Sequence, residues 1–309
     1  MRKTCLNCVL ELAKNHSEVL FLGSDLGAGT MKEFRKTFPE RFFMEGVSEQ
    51  HLIGMAAGLA MEGFIPYVNT IASFLTRRCL EQVTIDLCLP NLPVRLIGNG
   101  GGIVYAPLGA THFALDDLAL MRLQPNMTVI APSDAVQMRA FMEISLSHPG
   151  PIYIRLAKGG DPVTHPKGLP FVIGQAIELA QGTHIAFLCT GAMAHPALIA
   201  AQQLTNKGIS CSVWHFPTVK PLDQAALAPI ADRHTLLVSL EEHTIVGGFG
   251  SAIAEWLMDH HPHPPRLLRL GFPDRFPSHY GSQEQHLAAV GLEPEAIART
   301  VIQSYQRQK

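Results

Sequence analysis

Short apolar runs rich in Val, Ile and Leu alternate along the chain with stretches of helical period. Period-2 or continuous apolar segments predict strands at Val19–Leu22, Ile65–Asn69, Val94–Ile97, Thr128–Ile130 and Ile152–Leu156. Between them, apolar positions spaced three and four apart predict helices over 5–14, 49–62, 74–88, 116–122 and 134–147, the last opened by the capping pair Ser133-Asp134. Strands alternating with helices define a parallel sheet covered on both faces. Gly, Asn, Ser or Pro follows each strand, which places loops along one edge of that sheet. A Gly- and Pro-rich segment from Lys158 to Pro170 reads as a linker. Beyond it the pattern resumes, with strands at His184–Cys189, Ser212–Phe216, Leu236–Leu240 and Leu267–Leu270 and helices at 194–206, 223–231 and 249–259. The expected architecture is α/β in two domains: a doubly wound, mostly parallel sheet over 1–160, a linker over 161–173, and a smaller α/β domain over 174–309. No internal repeat or low-complexity tract interrupts it.

Composition narrows the function. With 309 residues, 47% hydrophobic and 16% charged, the chain suits two well-covered cores. Lys+Arg 24 against Asp+Glu 26 leaves a formal charge of −2, so no basic footprint for nucleic acid or anionic membrane exists. A mean hydropathy of +0.15 is high for a lone subunit and suggests apolar surface covered by other subunits. No run approaches the ~18 apolar residues of a membrane span, and the first residues read as neither leader nor anchor. A cytoplasmic protein is expected.

The six cysteines offer one close pair, Cys5-x-x-Cys8. No second pair completes a zinc site, and Cys8-Val-Leu-Glu-Leu-Ala continues a helical pattern, so the pair reads as core. His260-His261-Pro262-His263 reads as a loop. Gly98-Asn-Gly-Gly-Gly102 follows a strand but lacks G-x-G-x-x-G spacing, and favours a tight glycine loop over a dinucleotide site. Gly247-Gly248-Phe-Gly250 reads as close packing at a helix start, and Glu241-Glu242-His243 before it as fold and interface residues.

The most informative stretch is 43–62, where a loop becomes an apolar helix rich in small residues with Glu49 at the junction. Two readings of Glu49 stand: a first-turn acid favoured by the helix dipole, or an inward-facing carboxyl whose apolar setting keeps a proton available for sharing. Gly46-Val-Ser-Glu49-Gln50-His51 followed by Met55-Ala-Ala-Gly58 resembles the pyrimidine-binding domain of the transketolase family. The resemblance extends to deoxyxylulose-phosphate synthases and the β subunits of 2-oxoacid dehydrogenase first components. It continues through Ser73-Phe74-Leu75-Thr76-Arg77-Arg78, Gly109-Ala-Thr111-His112, Asp117-Leu118, Pro125-Asn126-Met127-Thr128-Val129 and Pro149-Gly-Pro-Ile-Tyr-Ile-Arg155. In the second half it covers Thr190-Gly191, Pro221-Leu222-Asp223 and Glu241-Glu242-His243 through Gly247-Gly248, in the family's order.

The resemblance implies a thiamine diphosphate enzyme in which Glu49 is the acid on the aminopyrimidine nitrogen N1′. Phe74 is then the ring that stacks on the pyrimidine, against the alternative of a core aromatic. Gln82 lies one residue farther from Phe74 than the family spacing. His112 is implied to meet a substrate hydroxyl or a developing alkoxide, or else is a surface histidine at a helix start. Arg155 resembles the family's phosphate-binding cation, the alternative being a strand-end Arg paired with a structural carboxylate. Arg2 resembles a further phosphate-contacting Arg. Asp25 resembles a residue near the thiazolium, or else belongs to a turn. Family members place an Asp four residues before the histidine to recognise a sugar hydroxyl; here Leu108 stands there, and Tyr105 is a candidate replacement hydroxyl.

No Gly-Asp-Gly followed by Asn occurs, so the Mg²⁺ and diphosphate ligands are expected from elsewhere and no metal ligand from this chain. The implied partner is a separately encoded N-terminal transketolase subunit carrying Gly-Asp-Gly, with this chain a homodimer inside an α₂β₂ assembly. The implied activity is transfer of a two-carbon ketol unit. A β subunit of a 2-oxoacid dehydrogenase first component, or a non-catalytic assembly module of the same fold, are the alternatives.

Overall fold

In the computed structural model, residues 1–24, 29, 31–278 and 280–307 are described. Seven strands form the first sheet in the order β10-β5-β6-β4-β3-β1-β2: β1 Val19–Gly23, β2 Phe42–Met44, β3 Ile65–Ile71, β4 Arg95–Asn99, β5 Thr128–Ile130, β6 Ile152–Leu156 and β10 Thr218–Lys220. All pairings are parallel except β10 on β5. Strands β1, β4, β5 and β6 are buried at every position, as expected for parallel strands covered on both faces. One face packs on helices α1 (Arg2–Asn15) and Ala135–Ser145, with Phe21, Tyr67, Ile97, Phe141 and Met142 in its core. The other packs on Glu49–Met61 and the helical run 74–88, through Leu22, Leu52, Ala56, Val68, Leu75 and Leu87.

The second sheet has the order β12-β11-β8-β9-β7, from β7 Ile177–Ala180, β8 Ile185–Cys189, β9 Cys211–His215, β11 Leu236–Thr244 and β12 Arg266–Phe272. Only β7 runs antiparallel to its neighbour. The two-sheet α/β architecture follows the strand pattern of the sequence. The pattern did not mark β2, β7, β10, or the helices Lys32–Thr37, Gln283–Ala289 and Pro294–Gln306.

Strand β10 is the largest departure, because it lies in the C-terminal half of the chain yet extends the first sheet. The connecting segment is likewise tied down. The Asp134 carboxylate accepts from the Thr164 and His165 amides at 2.8 Å each, while also capping the helix through Val136 and Gln137. Those amides hold the Asp134 carboxyl below its usual range against the opposing effect of burial. Phe171 packs edge-on against Phe141 at 5.2 Å. The two halves therefore share polar anchors as well as apolar contacts.

Candidate active site: an acid, a stacked ring and a histidine on one open face

Glu49 begins the helix Glu49–Met61, whose Leu52, Ile53, Ala56, Ala57 and Ala60 press against the sheet. The small residues let the helix lie close to β3, and this carries its first turn inward. Glu49 is 3% exposed, buried as an N-terminal acid seldom is. Its Oε2 accepts from the Arg78 Nη1 at 2.6 Å, and Oε1 makes no hydrogen bond among the described residues.

Phe74 opens the helical run after β3. Its half-buried ring carries the Arg78 guanidinium 4.3 Å above its centroid, a cation–π contact worth about 0.5–1 kcal/mol at such exposure. The His112 ring meets Phe74 edge-on at 5.1 Å. Glu49, Arg78, Phe74 and His112 thus form one contiguous line. Phe74–Arg78 and Val83–Cys88 are wound as π-helix, which admits an extra residue per turn. Of these, only the turn Phe74–Arg78 lies between Phe74 and Gln82.

His112 sits on the loop 103–113. Its Nδ1 lies 2.9 Å from the Thr111 hydroxyl, and the loop backbone is held from outside by Arg77, which donates to Phe113 O at 2.7 Å. Partial loss of water, with the Arg78 cation second, holds the imidazole below its usual pKa. His112 is therefore biased to the neutral form, which can accept or donate a proton.

Of the two readings of Arg155, phosphate-binding cation or strand-end partner of a structural carboxylate, the geometry favours the second: it is 7% exposed and forks onto Asp117, Nε to Oδ2 at 2.8 Å and Nη2 to Oδ1 at 3.0 Å. Its Nη2 also donates to the carbonyls of Ala114 and Glu242. Burial alone would lower the guanidinium's pKa, but the Asp117 carboxylate, with Glu242 and Tyr153 behind it, more than offsets this. Every described donation from Arg155 is internal, so the strand-end pairing with a structural carboxylate is the reading the geometry supports.

Tyr105 is turned onto the glycine loop: a Cβ on Gly100 would meet its ring at 2.3 Å. No described hydrogen bond engages its hydroxyl. Leu108 is 54% exposed and presents no acceptor. Arg2 lines a groove of about 420 Å³ with Lys3, Asn7, Lys32 and Glu33, and no described contact joins it to Glu49, Phe74 or His112. Asp25 lies outside the described residues.

The glycine run serves close packing. Added Cβ atoms at Gly98, Gly100, Gly101 and Gly102 would strike Tyr153, Tyr105, Arg155 and Glu242, each within 2.6 Å. Glu241 caps the helix Phe249–His260 through the amides of Phe249 and Gly250, at 2.7 and 2.9 Å. Cys5 and Cys8 are buried free thiols, and burial pushes Cys8 up to about 11. Among the described residues no group of three or more His, Cys, Asp or Glu is arranged for a metal ion, and no helix is long and apolar enough to cross a membrane.

In the sequence Arg78 is only the last residue of the Ser73–Arg78 motif, and nothing there marks its contact with Glu49. Its four-residue offset from Phe74 is the one available signal, since that spacing puts two side chains on one helical face.

A parallel α/β sheet with a buried acid and a half-buried aromatic ring on the helical face, followed by a second α/β unit, is the frame of this chain. The description "Transketolase, pyrimidine binding domain" matches residues 1–160, and "Transketolase, C-terminal domain" matches 174–297. The chain belongs to the transketolase family. It is 33% identical to one of the subunits of the apulose-4-phosphate transketolase of Phocaeicola vulgatus, over 98% of this chain and 96% of that protein. It is 35% identical to the 6-deoxy-6-sulfo-D-fructose transketolase subunit SqwH of Clostridium sp. (strain MSTE9), over 99% of this chain and 95% of the relative. A solved structure titled "Split gene transketolase, inactive beta4 tetramer" superposes with a TM-score of 0.89 at 34% identity, covering 99% of this chain and 97% of that one.

Proposed function

We propose that this chain is the C-terminal subunit of a split, thiamine diphosphate-dependent transketolase that moves a two-carbon ketol unit between sugar-type substrates. The supporting observation is the line Glu49–Arg78–Phe74–His112. The Arg78 guanidinium is a flat group with N–H donors, seated on Phe74 and bonded to Glu49. The aminopyrimidine end of the cofactor likewise offers a flat face to stack on Phe74, and its ring nitrogen would accept from a protonated Glu49 where the guanidinium now donates to the carboxylate, so these residues fit it. Bound there, the cofactor would supply the nucleophilic carbon that carries the ketol fragment.

The chain's own residues have separable tasks. Phe74 supplies the stacking wall, worth about 0.5–1.5 kcal/mol beyond burial. Glu49 holds a proton at the ring nitrogen, and Arg78 must first give up its place. His112, in the tautomer that carries its proton on Nε2 and leaves Nδ1 to accept from the Thr111 hydroxyl, would present that proton to the substrate oxygen. Mg²⁺ and diphosphate ligands belong to a partner subunit with Gly-Asp-Gly, in an α₂β₂ assembly. The two related subunits, one of them for a sulfonated ketose, make anionic ketoses the donors to test first.

The test is reconstitution with a Gly-Asp-Gly partner and assay of ketol transfer. Glu49→Gln is expected to lower kcat at least ~100-fold, the scale of a lost acid–base group. An unchanged rate would leave the assembly-module reading standing.

A further inference from the structure

We propose that Glu242, contributed by the C-terminal half of the chain, is a positioning residue that sets the His112 loop for ketol transfer. The inference rests on the reading of His112 given above. The loop 103–113 closes on itself at a narrow stem, where Gly102 and Ala114 exchange backbone hydrogen bonds of 3.0 and 2.8 Å. Within it, short turns such as His112 N–H to Gly109 O provide local shape but no tie to the sheet. Outside ties reach the loop in two places: beside His112, where Ser73 Oγ and the Arg77 Nη2 donate to Thr111 O at 3.3 and 3.4 Å and Arg77 also holds Phe113 O, and at the stem, where β11 supplies two bonds directly and one through Arg155. The Glu242 Oε1 accepts the Ile103 amide at 2.8 Å, the Glu242 carbonyl accepts from Arg155 at 2.8 Å, and the Thr244 amide donates to Leu115 O at 2.8 Å. Arg155 in turn holds Ala114 O at 3.2 Å.

Glu242 itself is built in. It is 4% exposed, and both its oxygens accept from the Gln283 Nε2, at 2.9 and 3.0 Å. Gly102, in the left-handed region at φ +71, leaves room for it, since a Cβ there would lie 2.5 Å from Oε1. A buried carboxylate that accepts a loop amide at the stem and a surface-helix amide behind it fixes where the loop leaves the sheet. Burial pushes the Glu242 carboxyl up while the Arg155 charge opposes this. Misplacement of a reacting group by ~1 Å can cost ~10²-fold in rate, so a loosened stem should act on turnover more than on binding.

The test uses Glu242→Ala, Glu242→Gln and Gln283→Ala. Gln at 242 keeps an oxygen for the Ile103 amide, and Gln283 can turn its own amide to match. In the isolated full chain, amide exchange over 103–113 is expected to speed up at least ~10-fold in Glu242→Ala and to stay near wild type in Glu242→Gln. In the reconstituted complex, kcat should fall ~10-fold or more in Glu242→Ala, with donor KM and cofactor half-saturation within ~3-fold, and Glu242→Gln should recover most of it. Gln283→Ala, on a surface helix and safe for folding, should move both readouts the same way by less, and it decides the matter if Glu242→Ala does not fold. Unchanged exchange, or a loosened loop with unchanged kcat, overturns the proposal. A wild-type complex without ketol transfer would instead bring down the functional reading, and the catalytic meaning of the clasp with it.

Discussion

The Arg155–Asp117 pair allows a direct choice between scaffold and substrate ligand. Asp117 is fully buried and accepts from the Tyr153 hydroxyl at 2.7 Å and twice from Arg155. Arg155→Met would leave the carboxylate with the tyrosine alone, and Asp117→Leu would leave the guanidinium with two carbonyls and the nearby Glu242 charge. Removing one partner of a buried ion pair costs about 3–5 kcal/mol, because the other charge stays dehydrated and uncompensated. Replacing both with apolar side chains should cost much less than the sum, with a coupling of at least ~2 kcal/mol. Urea unfolding of the isolated chain, followed by far-ultraviolet circular dichroism for all four proteins of the cycle, measures these terms. A loss below ~1 kcal/mol for Arg155→Met, together with a ~10-fold rise in KM for a phosphorylated sugar in the complex, would refute the scaffold role and restore the substrate-ligand reading.

Two further outcomes follow from the geometry. Arg78→Ala should bind thiamine diphosphate a few-fold more tightly in the reconstituted complex, because the ring contact and the ion pair that Arg78 must surrender, open to water at the Arg78 end and buried at Glu49, are worth about 1 kcal/mol or somewhat more together; titration calorimetry that found weaker binding would show Arg78 to be a cofactor contact. His215, fully buried in β9, has its pKa lowered from 6.5 to about 3 by burial. The unfolded state therefore binds the extra proton first as pH falls, and this group's stabilisation, complete above pH 6.5, is lost toward pH 3. Between pH 6.5 and 4.5 the loss is about 2–3 kcal/mol. Melting curves of His215→Asn should show a correspondingly shallower acid decline, and equal slopes would contradict the assignment.

What was legible in the sequence was local. Strands β5 and β6 run over the very residues that the apolar pattern marks, because Pro, Gly and Asn bound those runs on both sides. Glu49, Phe74 and His112 stand out in three motifs well separated along the chain, and the fold joins them in a line through Arg78. Strand β10 could not be found: three residues with no periodicity become a strand only by pairing with Val129 and Ile130, almost ninety positions earlier in the chain. The two readings of Arg155 could not be separated for the same reason. A strand-end guanidinium reads the same whether a phosphate or Asp117 receives it, and only the fold brings that carboxylate within 2.8 Å.

The glycine run shows how the buried network and the site are one construction. Tyr153, Arg155 and Glu242 each lie against a glycine of the segment 98–102, and each also bonds Asp117 or the stem of the His112 loop. The glycines thus mark where side chains of β6 and β11 press through to reach the stem. Charged groups whose types invite a catalytic reading are spent behind the loop, where water is excluded and their geometry is fixed. Glu49, Phe74 and His112 stand in front of it, around Arg78, whose side chain is 41% exposed. A face with rigid backing and an open front is suited to chemistry completed by a second surface. Among the described residues no hydrogen bond, ion pair or ring contact joins the C-terminal half to these three side chains, so the proposed influence of Glu242 on His112 would pass through the stem of the loop.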